Sequence, residues 1–97
     1  MSQSDDMIKQ RISRFREEID AADEEIVRLL NKRALAAMKI GQIKKEVNWP
    51  IYVPTREEQV IAHVKTVNQG PLSDEAIGRL FERIIDESRR QERESNS

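Results

Sequence analysis

Residues 8–47, IKQRISRFREEIDAADEEIVRLLNKRALAAMKIGQIKKEV, decide the fold. Apolar residues recur at alternating spacings of four and three: Ile8, Ile12, Phe15, Ile19, Ala22, Ile26 and Leu29, then Ala36, Ile40, Ile43 and Val47. That spacing puts every member on one side of a helix and makes a heptad seam. Gly41 is the only glycine within it, and no proline interrupts it. Ser4 or Asp5 is placed to cap its start, and Trp49-Pro50 stops it, because the residue before a proline is pushed out of the helical region. Forty residues at about 1.5 Å each make a rod of roughly 60 Å, whereas a compact domain of this length has a radius of gyration of only about 12–13 Å. The rest of the chain cannot cover such a rod, so much of the seam is expected to meet a second chain.

Working outward, Asn48 to Pro54 carries Trp49, Ile51, Tyr52 and Val53 and reads as an ordered connector. Thr55-Arg-Glu-Glu58 fits a capping box that opens a second helix. Val60, Ile61, Val64 and Val67 share one side of that helix, which ends at Gln69-Gly70-Pro71. Ser73 caps a third helix, with Asp74 and Glu75 in its positively polarised first turn. Its stripe is Ile77, Leu80, Phe81, Ile84 and Ile85, and from Arg89 to Ser97 the apolar positions run out. The pattern predicts an all-α fold of three helices, one very long, in a single domain over residues 1–97, ordered over about 6–93. Two copies are expected to intertwine as an antiparallel helical dimer.

Apolar residues make up 37% of the chain and charged residues 36%, so the core must come from narrow stripes on charged helices. Lys and Arg number 17 against 18 Asp and Glu, a net charge of -1, which gives no general pull on nucleic acid or an anionic membrane. No secretory signal and no membrane span can be drawn, so a cytoplasmic protein is expected. The absence of cysteine excludes disulfides and thiolate chemistry. His63 has no cysteine or second histidine to join it, so a zinc site is not expected; the reading carries no cofactor.

Polar residues break the apolar pattern in places that matter. The seam position between Leu29 and Ala36 is Arg33, and Lys44, eleven residues on, returns to within about 20° of the same face. On the third helix, Ile77, Phe81 and Ile84 lead to Ser88 and, one turn further, to Glu92. Taken singly, Arg33 can be a register device or can snorkel to water. Ser88, Lys44 and Glu92 can be solvated residues, and His63 and Trp49 read as packing or surface positions. Taken together, several inward cations with few inward acids imply a dianionic ligand. Arg16 precedes Arg33 by seventeen residues, which separates them by about 25 Å along the axis and roughly 100° around it. Arg16 therefore does not serve the pocket of its own Arg33 and Lys44. Antiparallel pairing, with a two-fold axis near Val27, brings it to the pocket of a partner.

These residues together resemble the all-helical class of chorismate mutase. The resemblance runs from Phe15-Arg16-Glu-Glu-Ile-Asp-Ala-Ala-Asp23 through Leu29-Leu-Asn-Lys-Arg33 and Lys39-Ile-Gly-Gln-Ile-Lys44 to Pro50-Ile-Tyr-Val-Pro-Thr-Arg56-Glu57. It closes with Leu80-Phe-Glu-Arg-Ile-Ile-Asp-Glu-Ser88 and Glu92, and so covers nearly the whole chain. It implies an isomerase that rearranges chorismate to prephenate, on the way to phenylalanine and tyrosine, and a homodimer whose sites are each completed by an arginine from the partner. By this resemblance Arg33 holds one substrate carboxylate and Arg16 of the partner holds the other. Lys44 donates to the ether oxygen, Arg56 supports the site from the start of helix two, Glu57 takes the ring hydroxyl, and Ser88 assists at a carboxylate.

A Claisen rearrangement is a one-step pericyclic shift, which accounts for the lack of a nucleophile, metal or base. Catalysis comes from holding the enolpyruvyl arm over the ring and from donors aimed at the ether oxygen, where charge grows as the C–O bond breaks. Two positions depart from the best-known pattern. Val53 stands where some members carry an aspartate for the substrate hydroxyl, which leaves only a backbone N–H there and Glu57 to make the contact. The ether oxygen's second donor is a glutamine in some members and a glutamate in others; here it is Glu92, and a carboxylate must be protonated to donate. Three other readings compete. One is an isochorismate–pyruvate lyase on the same scaffold, against which Glu57 argues. The second is a non-catalytic dimerisation module. The third is a mutase domain of a larger bifunctional enzyme, against which the chain's own start and polar C-terminus weigh.

Overall fold

The computed structural model describes residues 3–94, and among these there are three helices and no strand. Helix α1 spans Gln3–Val47, α2 Pro54–Val67 and α3 Asp74–Glu94. Ser4 and Asp5, the expected caps, lie inside the first described turn of α1, where Asp5 and Asp6 complement the helix dipole. Residues 1–2 and 95–97 of the expected domain, the last of the polar tail included, lie outside the described residues.

Helix α1 ends two residues before Trp49-Pro50. Asn48 takes a left-handed backbone with φ 57°. Its N–H donates to the Lys45 carbonyl at 3.3 Å, while that of Trp49 donates to the Lys44 carbonyl at 2.9 Å. This pair of bonds is a Schellman ending, and Asn is among the few residues that tolerate the αL position it needs. The proline reinforces a stop that Asn48 has already made.

The capping box expected at Thr55 and Glu58 is likewise absent. Pro54 occupies the first helical turn, its fixed φ suited to that place, so the cap falls on Val53, which makes no side-chain capping bond. The Val53 carbonyl instead accepts from the backbone N–H groups of Arg56 at 3.0 Å and Glu57 at 3.2 Å. Helix α2 ends at Val67, short of the expected Gln69-Gly70-Pro71. Asn68 organises the turn that follows: its side-chain amide donates to the Leu72 carbonyl and to Asp74 Oδ1, each at 2.8 Å, and its Oδ1 accepts from the Gly70 N–H at 3.2 Å. Ser73 caps α3 as expected, its Oγ accepting from the Ala76 N–H at 3.1 Å.

Packing divides the chain into two units, Met1–Lys32 and Arg33–Ser97. The described part of the first is a single stretch of helix whose seam residues Ile8, Ile12, Phe15, Ile19, Ile26 and Leu29 are all exposed, Phe15 by 62%. In the second, α2 packs on α3, and Ala37, Gly41, Gly78 and Ile85 are buried. The seam residues Ile40, Ile43 and Val47 stay exposed there too. The face of α1 that α3 covers is the neighbouring stripe of Arg33, Ala37, Gly41 and Lys44, spaced four, four and three. Small residues in its middle let the backbones approach: a Cβ at Gly41 would lie 3.1 Å from both Cα and the carbonyl oxygen of Glu92. Val67 and Leu80, placed on the α2 and α3 stripes by periodicity, are exposed at 57% and 53%.

Candidate active site

Position 33 belongs both to the exposed seam and to the stripe against α3, and Lys44 closes that stripe three turns on. Both therefore point at α3 rather than at water, and a cavity of ≈ 240 Å³ opens beside them. Arg33, Lys44, Val53, Arg56, Glu57, Ser88 and Glu92 all line it. The structure thus brings seven of the eight sequence candidates around one space. The eighth, Arg16, lies in the other unit.

Each side chain is placed by its element. Arg33 Nη1 donates to Ser88 Oγ, and that hydroxyl donates in turn to the Ile84 carbonyl at 3.0 Å, so α3 fixes the guanidinium from below. Lys44 Nζ donates to the Ile51 carbonyl at 3.2 Å and stands 3.9 Å from Glu92 Oε2. The connector 48–53 thereby folds back over the end of α1. Arg56 and Glu57 sit in the first turn of α2 because Val53 starts that helix, and the positive end of its dipole favours the Glu57 carboxylate.

Glu92 and Arg33, both lining the cavity, have shifted proton affinities. Burial pushes the Glu92 carboxyl above its ordinary range; Lys44 and then Arg33 oppose the shift, and Glu57 adds to it. Burial pulls the Arg33 guanidinium below its ordinary value, Arg56 acts in the same direction, and Glu92 opposes both. Burial therefore raises the proton affinity of Glu92 beside an Arg33 guanidinium that has given up part of its hydration. An anion entering there is favoured, and a protonated Glu92 can donate.

Sequence reasoning missed Arg89, which also lines the cavity. Its Nη2 lies 3.1 Å from Glu57 Oε1 and 3.1 Å from Asp86 Oδ1, and its guanidinium carbon lies 4.8 Å from the centre of the Tyr52 ring. Ser88 stands out in the same turn, but from Arg89 on the apolar positions run out, and nothing local tells that Arg89 meets Glu57 from thirty-two residues away. The small residues Ala37 and Gly41 between Arg33 and Lys44 were the overlooked sign of which α1 face is covered. No group of three metal-ligating side chains comes together among the described residues.

Residues 15–93 match the model of the family described as chorismate mutase type II. The chain is 40% identical over 80 residues to a bifunctional chorismate mutase/prephenate dehydratase of Aquifex aeolicus, an alignment covering 78% of this chain and 22% of that protein. It thus spans about a fifth of the length of the curated relatives it matches first. Among solved structures, it superposes on the form II chorismate mutase of Thermus thermophilus with a TM-score of 0.83 at 38% identity, covering 86% of this chain and 94% of that one. Chorismate mutase from Helicobacter pylori, solved in complex with prephenate, superposes with a TM-score of 0.81 at 31% identity, covering 89% and 93%.

Proposed function

This chain belongs to the chorismate mutase type II family, and from that premise we propose that it rearranges chorismate to prephenate as an intertwined homodimer. The observation that carries the reading is the cavity itself: Arg33, Lys44 and Arg56 converge on it while burial keeps Glu92 toward its neutral form. That set suits a small dianion with an ether oxygen between its carboxylates. The prephenate held by the Helicobacter pylori relative supports the same substrate class.

In this mechanism Arg33, steadied by Ser88, grips one carboxylate through its forked donors. Arg16 from a second copy grips the other, and Arg56 supports the site from α2. The two grips hold the enolpyruvyl arm over the ring so that the carbon–carbon bond can form as the C–O bond breaks. Lys44 and protonated Glu92 donate to the ether oxygen, where negative charge builds in the transition state. Glu57 accepts from the ring hydroxyl, with the Val53 backbone beside it. No step moves a proton to or from the substrate, and none requires a cofactor.

The exposed seam supports the dimer. Ile8, Ile12, Phe15, Ile19 and Ile26 line one face of α1 in the first unit, and Ile40, Ile43 and Val47 do so in the second. A soluble monomer rarely exposes so continuous an apolar stripe. The chain has no described helix long and apolar enough to cross a membrane, and the proposal carries the cytoplasmic expectation with it.

The test is direct. Purified protein without additives is expected to consume chorismate, followed by its ultraviolet absorbance, and to yield prephenate. Salicylate from isochorismate with no prephenate from chorismate overturns the mutase assignment in favour of the lyase.

A further inference from the structure

Of the four cations that line the cavity among the described residues, Arg89 has no part in the mechanism above. Its surroundings are nonetheless highly organised. One nitrogen, Nη2, reaches Glu57 Oε1 on α2 and Asp86 Oδ1 on its own helix, both at 3.1 Å. The guanidinium is supported by the Tyr52 ring at 4.8 Å. Arg89 and Glu57 are each only 26% exposed, whereas Asp86 is 58% exposed, so the interhelical pair is the shielded one. Arg89 Nε is buried and has no hydrogen-bond partner among the described residues. A side chain settled for its own hydrogen bonding would not bury that donor unpaired. What the arrangement does satisfy is Glu57.

We propose that Arg89 is a positioning residue for Glu57: braced by Asp86 and Tyr52, it fixes the Glu57 carboxylate to receive the ring hydroxyl of the substrate. The assignment deepens the mutase reading and rests on it. With Val53 in place of a second acid, the hydroxyl has one carboxylate to meet, and that carboxylate stands on the first turn of a helix with several rotamers open to it. A carboxylate has about four acceptor sites, so engagement of Oε1 leaves capacity for the substrate. The planar fork of arginine can hold an oxygen and lie against a ring at the same time, which an ammonium does less well.

The experiment is a double-substitution cycle in kcat/KM for chorismate, with Arg89→Ala, Glu57→Ala and both together, and thermal unfolding recorded for each. Arg89→Ala is expected to lower kcat/KM about tenfold, mainly through KM because the hydroxyl contact is already made in the ground state. On the Glu57→Ala background the same change is expected to cost less than about twofold. Arg89→Lys, which keeps the charge and the helix propensity, is expected to recover part of the loss, and it supplies the cycle should the alanine variant fail to fold. Losses that multiply in the double variant overturn the assignment while leaving the mutase reading in place. So does a loss that tracks the unfolding temperature alone. A wild-type protein that turns over no chorismate overturns the mutase reading, and this assignment with it.

Discussion

Lys44 Nζ stands 3.9 Å from Glu92 Oε2, and both side chains are largely shielded, at 17% and 14% exposed. Helices α1 and α3 therefore set an ammonium and a carboxyl side by side at the cavity. The separation is that of a loose ion pair, longer than a charge-assisted hydrogen bond of about 2.7–2.9 Å. Burial outweighs the attraction of Lys44 and Arg33 and raises the affinity of Glu92 for its proton.

The sign of the pH dependence follows. Glu92 must carry its proton to donate to an ether oxygen, and a raised pKa lets it keep that proton to higher pH. Activity is expected to be full below that pKa and to fall as pH rises through it. A bound dianion favours the neutral carboxyl further, so the descending limb of kcat should lie at higher pH than that of kcat/KM, since the two report the bound and the free enzyme. Glu92→Gln keeps a donor and cannot titrate, and it should flatten the limb in rate–pH profiles. An unchanged limb in that variant removes Glu92 from the mechanism.

Gly41 is where α1 lets α3 come close. A methyl group there meets backbone atoms of Glu92 at 3.1 Å, and backbone cannot rotate aside as a long side chain can. Gly41→Ala gains up to about 1 kcal/mol in helix propensity, against an overpacking cost of typically about 1–3 kcal/mol. The expected net is a loss of roughly 1 kcal/mol, or about 4–8 °C in unfolding temperature for a chain of this size. Because the displaced residue is Glu92, kcat should fall more than stability explains. A more stable and fully active variant would contradict the close approach.

Arg33 discriminates between an enzyme and a dimerisation module. Its Nη1 reaches Ser88 across the α1–α3 contact, and it lines the cavity. Removing a forked cation from a carboxylate should lower kcat/KM at least about 100-fold, or ~2.7 kcal/mol. Arg33→Ala should leave the oligomeric state unchanged in sedimentation measurements, because the seam around it is apolar. A shift in that state at constant turnover would make Arg33 a register device instead.

The helices were legible because periodicity alone makes them, and the Ser73 cap because hydroxyl and acids stand together in Ser73-Asp74-Glu75. The ends were less so. Asn48 terminates α1 by a backbone conformation that many loop residues could have taken, and Pro54 displaces the expected cap from Thr55 to Val53. Arg33 and Lys44 could be singled out from spacing, being polar where the pattern is apolar. Val53, Arg56 and Glu57 came only through resemblance to a family, because a charged first turn looks like any other. Arg89 was hidden for a different reason. Its meaning depends on Glu57 and Tyr52, which reach it only when α2 and the connector pack on α3, and a one-dimensional pattern carries no trace of that meeting.

The proposed sharing of sites has a consequence in mixed dimers. If Arg33 of one chain works with Arg16 of the other, Arg16→Ala and Arg33→Ala homodimers each have two damaged sites. In a mixed dimer, one site combines the intact Arg33 of the first variant with the intact Arg16 of the second, and the other site lacks both. Random exchange of equal amounts makes about half of the dimers mixed, each with one whole site of two, so about a quarter of wild-type activity should return. The two inactive variants are to be mixed, unfolded and refolded together, and assayed against each refolded alone. Recovery toward a quarter is possible only if the two arginines of one site come from different chains. No recovery, with mixed dimers demonstrated by mass, would place Arg16 outside the partner's site and leave the apolar seam as the sole reason for the length of α1.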